Sequence, residues 1–296
     1  MNDKLIRHFA VLALASVACT TTRSNTADHA DHDSVAPSIS VSVPQSTTLP
    51  ADAASARARL SASPRHSEWV MVSAGSDSVR AFVVYPERKT KAPVVVVVHE
   101  IYGLSPWIRS VADQLAADGF IAIAPDLLTS KNLPNPTDSV PAEQATAAIR
   151  TLNQDDVQRQ LLAAANYAMN LPSAVKKYGI VGFCWGGGVS FEHAVRSPAL
   201  GASVVFYGTS PASEGLTSVK APVLGLYGGN DARVNATIPA ADSTMKALGK
   251  TYEKHIYEGA GHGFLRQQGG QAGANLTAAQ QAWPATIAWF RRYLGA

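Results

Sequence analysis

Hydrophobic positions along this chain follow two periods that alternate from residue 69 to the C-terminus. Short apolar runs rich in β-branched residues read as strands: "WVMVSA" (69–74), "VRAFVVYP" (79–86), "APVVVVVHE" (92–100), "FIAIAPDLL" (120–128), "YGIVGFC" (178–184), "ASVVFYG" (202–208), "APVLGLYGGND" (221–231) and "YEKHIYEG" (252–259). The unbroken run in the third of these is typical of a strand buried on both faces. Apolar positions recur at helical spacing over 107–119, about 141–171, 186–197, 236–249 and 285–294. The first two strands are paired early strands, and the later ones are separated by helices. That order predicts an α/β fold with a mainly parallel central sheet and helices on both faces, without internal repeats.

Ahead of residue 65 the pattern differs. Lys4 and Arg7 precede an apolar run from Phe9 to Ala18 that ends at Cys19, the layout of a secretory signal peptide over residues 1–19. The run is too short to remain as a membrane-spanning helix. Ser16-Val17-Ala18-Cys19 resembles a bacterial lipobox, with Ser16 where an aliphatic residue is usual. Two readings follow: lipid attachment at Cys19, which is preferred, or ordinary cleavage after a small residue such as Ala18. Either sends the body to the periplasm or cell envelope, and contact with a membrane is expected only through that anchor. Residues 20–64, rich in Ser, Thr, Ala, Asp and Pro, read as a disordered tether. His29, His32 and Asp33 within it read as a solvated tail and not as a metal site.

Residues 65–296 then form one catalytic-sized domain. With 296 residues in all and 46% hydrophobic content, the chain can bury a sizeable core. A net charge of +3 with no basic block interleaved with aromatics excludes a nucleic-acid footprint. Of the two cysteines, one sits in the leader, so Cys184 is a lone thiol with no disulfide framework around it.

In such sheets the catalytic groups sit at the carboxyl ends of strands. Three segments fall there, "HEIYG" (99–103), "GFCWGG" (182–187) and "GGND" (228–231), and "GAGHGF" (259–264) follows the last strand. Gly-x-Cys-x-Gly at a strand-to-helix junction matches a nucleophile elbow with sulfur in place of the usual serine oxygen. Its glycines suit a strained turn with no room for a β-carbon, and the helix that follows favours thiolate. Cys184, Asp231 and His262 occur in the order nucleophile, acid, histidine that this fold uses. Backbone N–H groups of Ile101 and Trp185 occupy the two positions of an oxyanion hole. His99, His193 and His255 lack such placement and read as structural or surface residues.

Those four motifs make the region from about Ser67 to Leu294 resemble the dienelactone hydrolase family of α/β-hydrolases. The resemblance implies the α/β-hydrolase fold, Cys184 as nucleophile, His262 as base and Asp231 as its orienter. It also implies that Glu100 interacts with the resting thiol and shifts when substrate binds, and that Arg266 binds a substrate carboxylate. Tyr102 and Trp185 are candidates to line the pocket. A second family arginine aligns with "PAEQA" (141–145), which has none; Arg150 and Arg159 lie nearby but out of register.

The expected function is hydrolysis of a small-molecule lactone or activated ester through a thioester. No metal or organic cofactor is expected, and a monomer is favoured. The alternative is a non-catalytic envelope lipoprotein that binds a ligand in the same pocket.

Overall fold

A computed structural model describes residues 48–131, 133 and 140–295. The predicted signal peptide, Cys19, the histidines of the tail and the tether up to residue 47 lie outside the described residues.

Eight strands form one sheet: β1 (Ser67–Ala74), β2 (Asp77–Val84), β3 (Ala92–Val98), β4 (Ile121–Asp126), β5 (Ala174–Phe183), β6 (Ala202–Phe206), β7 (Val223–Gly228) and β8 (Tyr252–Tyr257). Their order is β1-β2-β4-β3-β5-β6-β7-β8. β2 runs antiparallel to both β1 and β4, and every other pairing is parallel. The chain steps from β3 to β4 on one side and returns to β5 on the other. The carboxyl ends of β3 and β5 therefore flank the point where the winding reverses and a crevice opens. All residues of β3 and β4 are buried, as the near-continuous apolar runs require.

The helices are α1 (Ala56–Ser61), α2 (Pro106–Ala117), α3 (Ala142–Ile149), α4 (Gln154–Met169), α5 (Trp185–Arg196), α6 (Ala232–Asn235), α7 (Ile238–Ala247) and α8 (Ala274–Phe290). Ile108, Val111 and Leu115 of α2 pack with Ala279, Trp283 and Phe290 of α8 on one face of the sheet. Leu161 and Ala165 of α4, Phe191 of α5 and Met245 of α7 cover the other. Side chains from alternate positions of β3 feed the two layers, Val95 and Val97 one and Val94, Val96 and Val98 the other.

Three elements differ from the sequence reading, each for a local reason. The helical region at 141–171 is two helices, because Asn153 caps a new one. Its Oδ1 accepts the N–H groups of Asp155 (2.8 Å) and Asp156 (3.1 Å), and those two carboxylates sit at the positive end of α4. The last helix starts at Ala274 and not at 285, running through Pro284. Burial of Ala282 and Trp283 before the proline and of Ile287 after it holds both halves to the sheet.

The third difference concerns the tether, whose last part, from residue 48, belongs to the folded body. Leu49, Ala51 and Ala56 are buried in the core beside α2. Trp107 Nε1 donates to the Ala51 carbonyl (3.0 Å) and Gln268 Nε2 to the Pro50 carbonyl (2.9 Å). Composition hid this, since a few small apolar residues suffice when a groove already exists for them.

Candidate active site

Cys184 sits between β5 and α5 with φ 56° and ψ −117°, a backbone region that residues with a β-carbon rarely adopt. Such strain costs about 1–3 kcal/mol and persists only where neighbours impose it. The Cys184 N–H donates to the Phe206 carbonyl (3.1 Å), and its carbonyl accepts from Gly187 (3.0 Å). The glycines on either side leave no alternative packing. A β-carbon on Gly182 would lie 1.8 Å from the Gly186 oxygen, and one on Gly186 would lie 2.3 Å from the His99 oxygen. The elbow thus forces α5 to start against the end of β3, which brings Glu100 and Ile101 beside the thiol.

His262 arrives from the loop after β8. Its Nδ1 is 2.5 Å from Asp231 Oδ2. The other oxygen of Asp231 accepts the N–H of Val234 (3.3 Å) and caps α6, so a turn-forming and a histidine-orienting aspartate are one residue. The loop is held by Asn275, whose Oδ1 accepts from Gly261 N–H (2.9 Å) and whose Nδ2 donates to the Gln267 carbonyl (2.8 Å). No sequence motif pointed to Asn275, because its role depends on α8 packing beneath the loop.

The Cys184 thiol is pushed up first by burial. Backbone N–H of Trp185 lowers it, the Glu100 carboxylate raises it, and Arg233 and the N–H of Ile101 lower it. The two N–H groups named from the sequence therefore both favour the thiolate. Glu100, with 5% of its side chain exposed, faces Arg266 (Oε1 to Nε 2.9 Å). The approach is not aligned as a hydrogen bond, and both atoms lack a hydrogen-bond partner. Burial lifts the Glu100 carboxyl to about 7, with Arg266 opposing the rise. Arg266 is thus the charged group paired with Glu100, and the same carboxylate also acts on the Cys184 thiol. A buried carboxylate takes a guanidinium when one is in reach.

The Cys184 thiol and the His262 imidazole open into one cavity of about 400 Å³. Tyr102 and Trp185 line it as expected. The Arg266 guanidinium lies 4.8 Å from the Tyr102 ring centroid, and Trp185 stacks on His99 at 5.6 Å. His99 itself is fully buried and locked, with Nδ1 2.9 Å from the Glu100 carbonyl and Nε2 accepting from Leu127 N–H (3.2 Å). His193 is buried against Tyr178 (3.0 Å) and Gln158 (2.6 Å), and His255 is paired with Glu253 at the surface.

The sequence reading missed Tyr207 and Arg233, which also line the cavity. Tyr207 has φ 40°, is fully buried and presents a hydroxyl without a hydrogen-bond partner. Arg159, by contrast, is taken up by Asp77 and Asp156, and neither it nor Arg150 lines the cavity. Among the described residues no group of three His, Cys, Asp or Glu side chains is placed to hold a metal ion.

One consequence is measurable at the thiol. Removing the Glu100 charge with Glu100→Gln takes away a group that disfavours thiolate, so the apparent thiol pKa is expected to fall. Iodoacetamide alkylation of Cys184 followed against pH reads this as a midpoint displaced towards acid. An unchanged or more alkaline midpoint would show that the carboxylate does not act on the sulfur.

Comparison with known proteins gives the family of the chain. Residues 79–294 match the model of the dienelactone hydrolase family. A Saccharolobus solfataricus protein that carries the name carboxymethylenebutenolidase is 32% identical over 72% of this chain and 94% of its own length. A Salmonella typhimurium protein of the same name is 30% identical over 84% of this chain and 98% of its own. Among solved structures, a dienelactone hydrolase structure from Klebsiella pneumoniae subsp. pneumoniae superposes with a TM-score of 0.69 at 27% identity, covering 77% of this chain and 99% of that one.

Proposed function

Because this chain belongs to the dienelactone hydrolase family, we propose that it cleaves a small lactone or activated carboxylic ester with Cys184 as nucleophile. The observation that carries the reading is a thiol on a strained elbow, in one cavity with a histidine held by an aspartate.

The steps follow from those positions. His262 takes the thiol proton and the thiolate attacks the carbonyl carbon, placing negative charge on oxygen beside the N–H groups of Ile101 and Trp185. The carbon–oxygen bond breaks, His262 returns the proton to the leaving oxygen, and a thioester remains on Cys184. Water, deprotonated by His262, attacks the thioester; sulfur leaves, regains the proton, and the acid is released. Asp231 keeps the His262 ring oriented throughout. Cys184, His262 and water carry every proton, so the cycle calls for no cofactor. Sulfur is a better leaving group than a simple alkoxide, which favours substrates with enol or aryl leaving groups. Cys184-dependent turnover of lactones and activated aryl esters tests the reading.

We also propose export and anchoring at Cys19, supported by the basic start, the short apolar run and the Ser-Val-Ala-Cys junction. Intact-mass analysis of the membrane fraction is expected to find a chain beginning at an acylated Cys19. A water-extractable chain starting after Cys19, or an unmodified one, would end the anchor proposal.

A further inference from the structure

His99 directly follows β3 and is fully buried, so its ring can act only on its neighbours. It touches the supports of both N–H groups that favour the Cys184 thiolate, those of Ile101 and Trp185. The ring stacks on Trp185, with centroids 5.6 Å apart. Its Nδ1 lies 2.9 Å from the Glu100 carbonyl oxygen, which belongs to the same peptide unit as the Ile101 N–H. The His99 carbonyl is also where α5 comes closest, since a β-carbon on Gly186 would meet it at 2.3 Å.

The ring's partners fix its tautomer. A carbonyl oxygen can only accept, so Nδ1 carries the hydrogen; the Leu127 N–H donates to Nε2 (3.2 Å), so Nε2 carries none. Burial lowers the pKa of this imidazole, with Asp126 opposing, and so favours the same neutral form. A trans peptide is planar and points its C=O and N–H in opposite directions. A donor that holds the carbonyl therefore aims the amide. His99 Nδ1–H and the Gly103 N–H (3.1 Å) both hold the Glu100 carbonyl, and the Ile101 N–H on the opposite edge of that plane is one of the two that favour the thiolate. Leu127, at the other end of the ring, directly follows β4, so the aim is set from the sheet and not from the loop.

We propose that His99 is a positioning residue for the oxyanion: its Nδ1–H locks the Glu100–Ile101 peptide with the Ile101 N–H turned to the substrate oxygen, and its ring face steadies Trp185. The assignment rests on the hydrolase reading above and deepens it. His99 transfers no proton and touches no reacting atom; it acts through the peptide it holds.

The experiment compares His99→Leu, which removes both ring nitrogens, with His99→Gln, whose amide can donate to one carbonyl and accept one N–H as the imidazole does. His193→Gln is the control, because that histidine is also buried but is bonded to Tyr178 and Gln158 and does not line the cavity. The readouts are kcat and KM on 4-nitrophenyl hexanoate, and inhibition by pentyl trifluoromethyl ketone, in which a trifluoromethyl group replaces the leaving group. The Cys184 thiolate adds to the ketone carbon, a carbon–sulfur bond forms, the C=O π pair moves to oxygen, and the resulting oxyanion needs the same N–H groups as the transition state. In His99→Leu kcat is expected to fall about 10- to 100-fold with KM little changed. That is less than the loss of a whole donor, about 10²- to 10³-fold, because Gly103 still holds the carbonyl. Ki for the ketone is expected to rise by a similar factor. His99→Gln should recover most of both, and His193→Gln should lower Tm and alter neither. Nitrogen-15 NMR of the histidine-labelled wild type, with the His99 signal identified by its loss in His99→Gln, should show Nδ1 as the protonated nitrogen.

Wild-type kcat in His99→Leu, or a fall in kcat without a rise in Ki, would overturn the assignment and leave the hydrolase reading standing. So would a His99→Gln no better than His99→Leu, or equal losses in His193→Gln, which would mark a general loosening of the core. A hydrogen on Nε2 of His99 would overturn it as well, since Nδ1 could then not donate to the carbonyl. His99→Asn, whose shorter amide cannot span both partners, takes the place of His99→Leu if the latter does not fold, and the same outcomes decide. No Cys184-dependent turnover by the wild type would overturn the hydrolase reading and this inference with it.

Discussion

Cys184→Ala is expected to lower kcat on lactones and activated aryl esters by at least about 10⁴-fold, the scale on which a nucleophile acting with its base is missed. The fold should survive, because alanine meets the same φ of 56° with a smaller side chain and Cys184 makes no disulfide. Binding should survive as well, since the two backbone N–H groups and the cavity wall remain. Initial rates for wild type and variant on one panel, with intact-mass detection of acyl-Cys184 in the wild type, check the prediction. A drop of only a few fold would show that His262 activates water directly and that the thiol is a bystander. A folded wild type that turns over nothing would favour the ligand-binding alternative.

Gly186→Ala is expected to damage both stability and rate. The added β-carbon would lie 2.3 Å from the His99 oxygen and 2.6 Å from the Val98 oxygen, both of them backbone. No flexible side chain can yield, so either the start of α5 or the end of β3 must move. Overpacking of this kind costs about 1–3 kcal/mol or more, which for a domain of this size lowers Tm by about 2–4 °C per kcal/mol. The same displacement separates Cys184 from the N–H of Ile101, and misplacement of about 1 Å can cost about 100-fold in rate. Gly269→Ala is the control, because nothing lies within 4 Å of its added β-carbon. Thermal melts and initial rates of both variants decide the matter. Wild-type behaviour in Gly186→Ala would mean that the close approach of α5 to β3 is not what positions the elbow.

The sequence was most informative where chemistry is written in consecutive residues. All eight strands were legible because each is a short apolar run between turn residues, and the central ones are buried on both faces. The elbow was legible because only glycine fits beside it, and Asp231 and His262 because each stands in a glycine-rich turn after a strand. Element boundaries were less legible. The cap at Asn153 lay inside a continuous helical period, and Pro284 suggested a helix start that core packing overrides.

What the sequence by itself determined, then, is the order of strands and helices and the local backbone of the elbow, since both follow from the nearest neighbours along the chain. Only the tertiary structure decided which charges face one another. Glu100 and Arg266 are 166 positions apart, and their pairing depends on β3 ending beside the loop that carries His262. Arg233 looked like any surface arginine until the cavity placed it, uncommitted, on the same wall as the thiol. Long-range electrostatics and burial depend on how distant segments pack, and no periodicity along the chain records them.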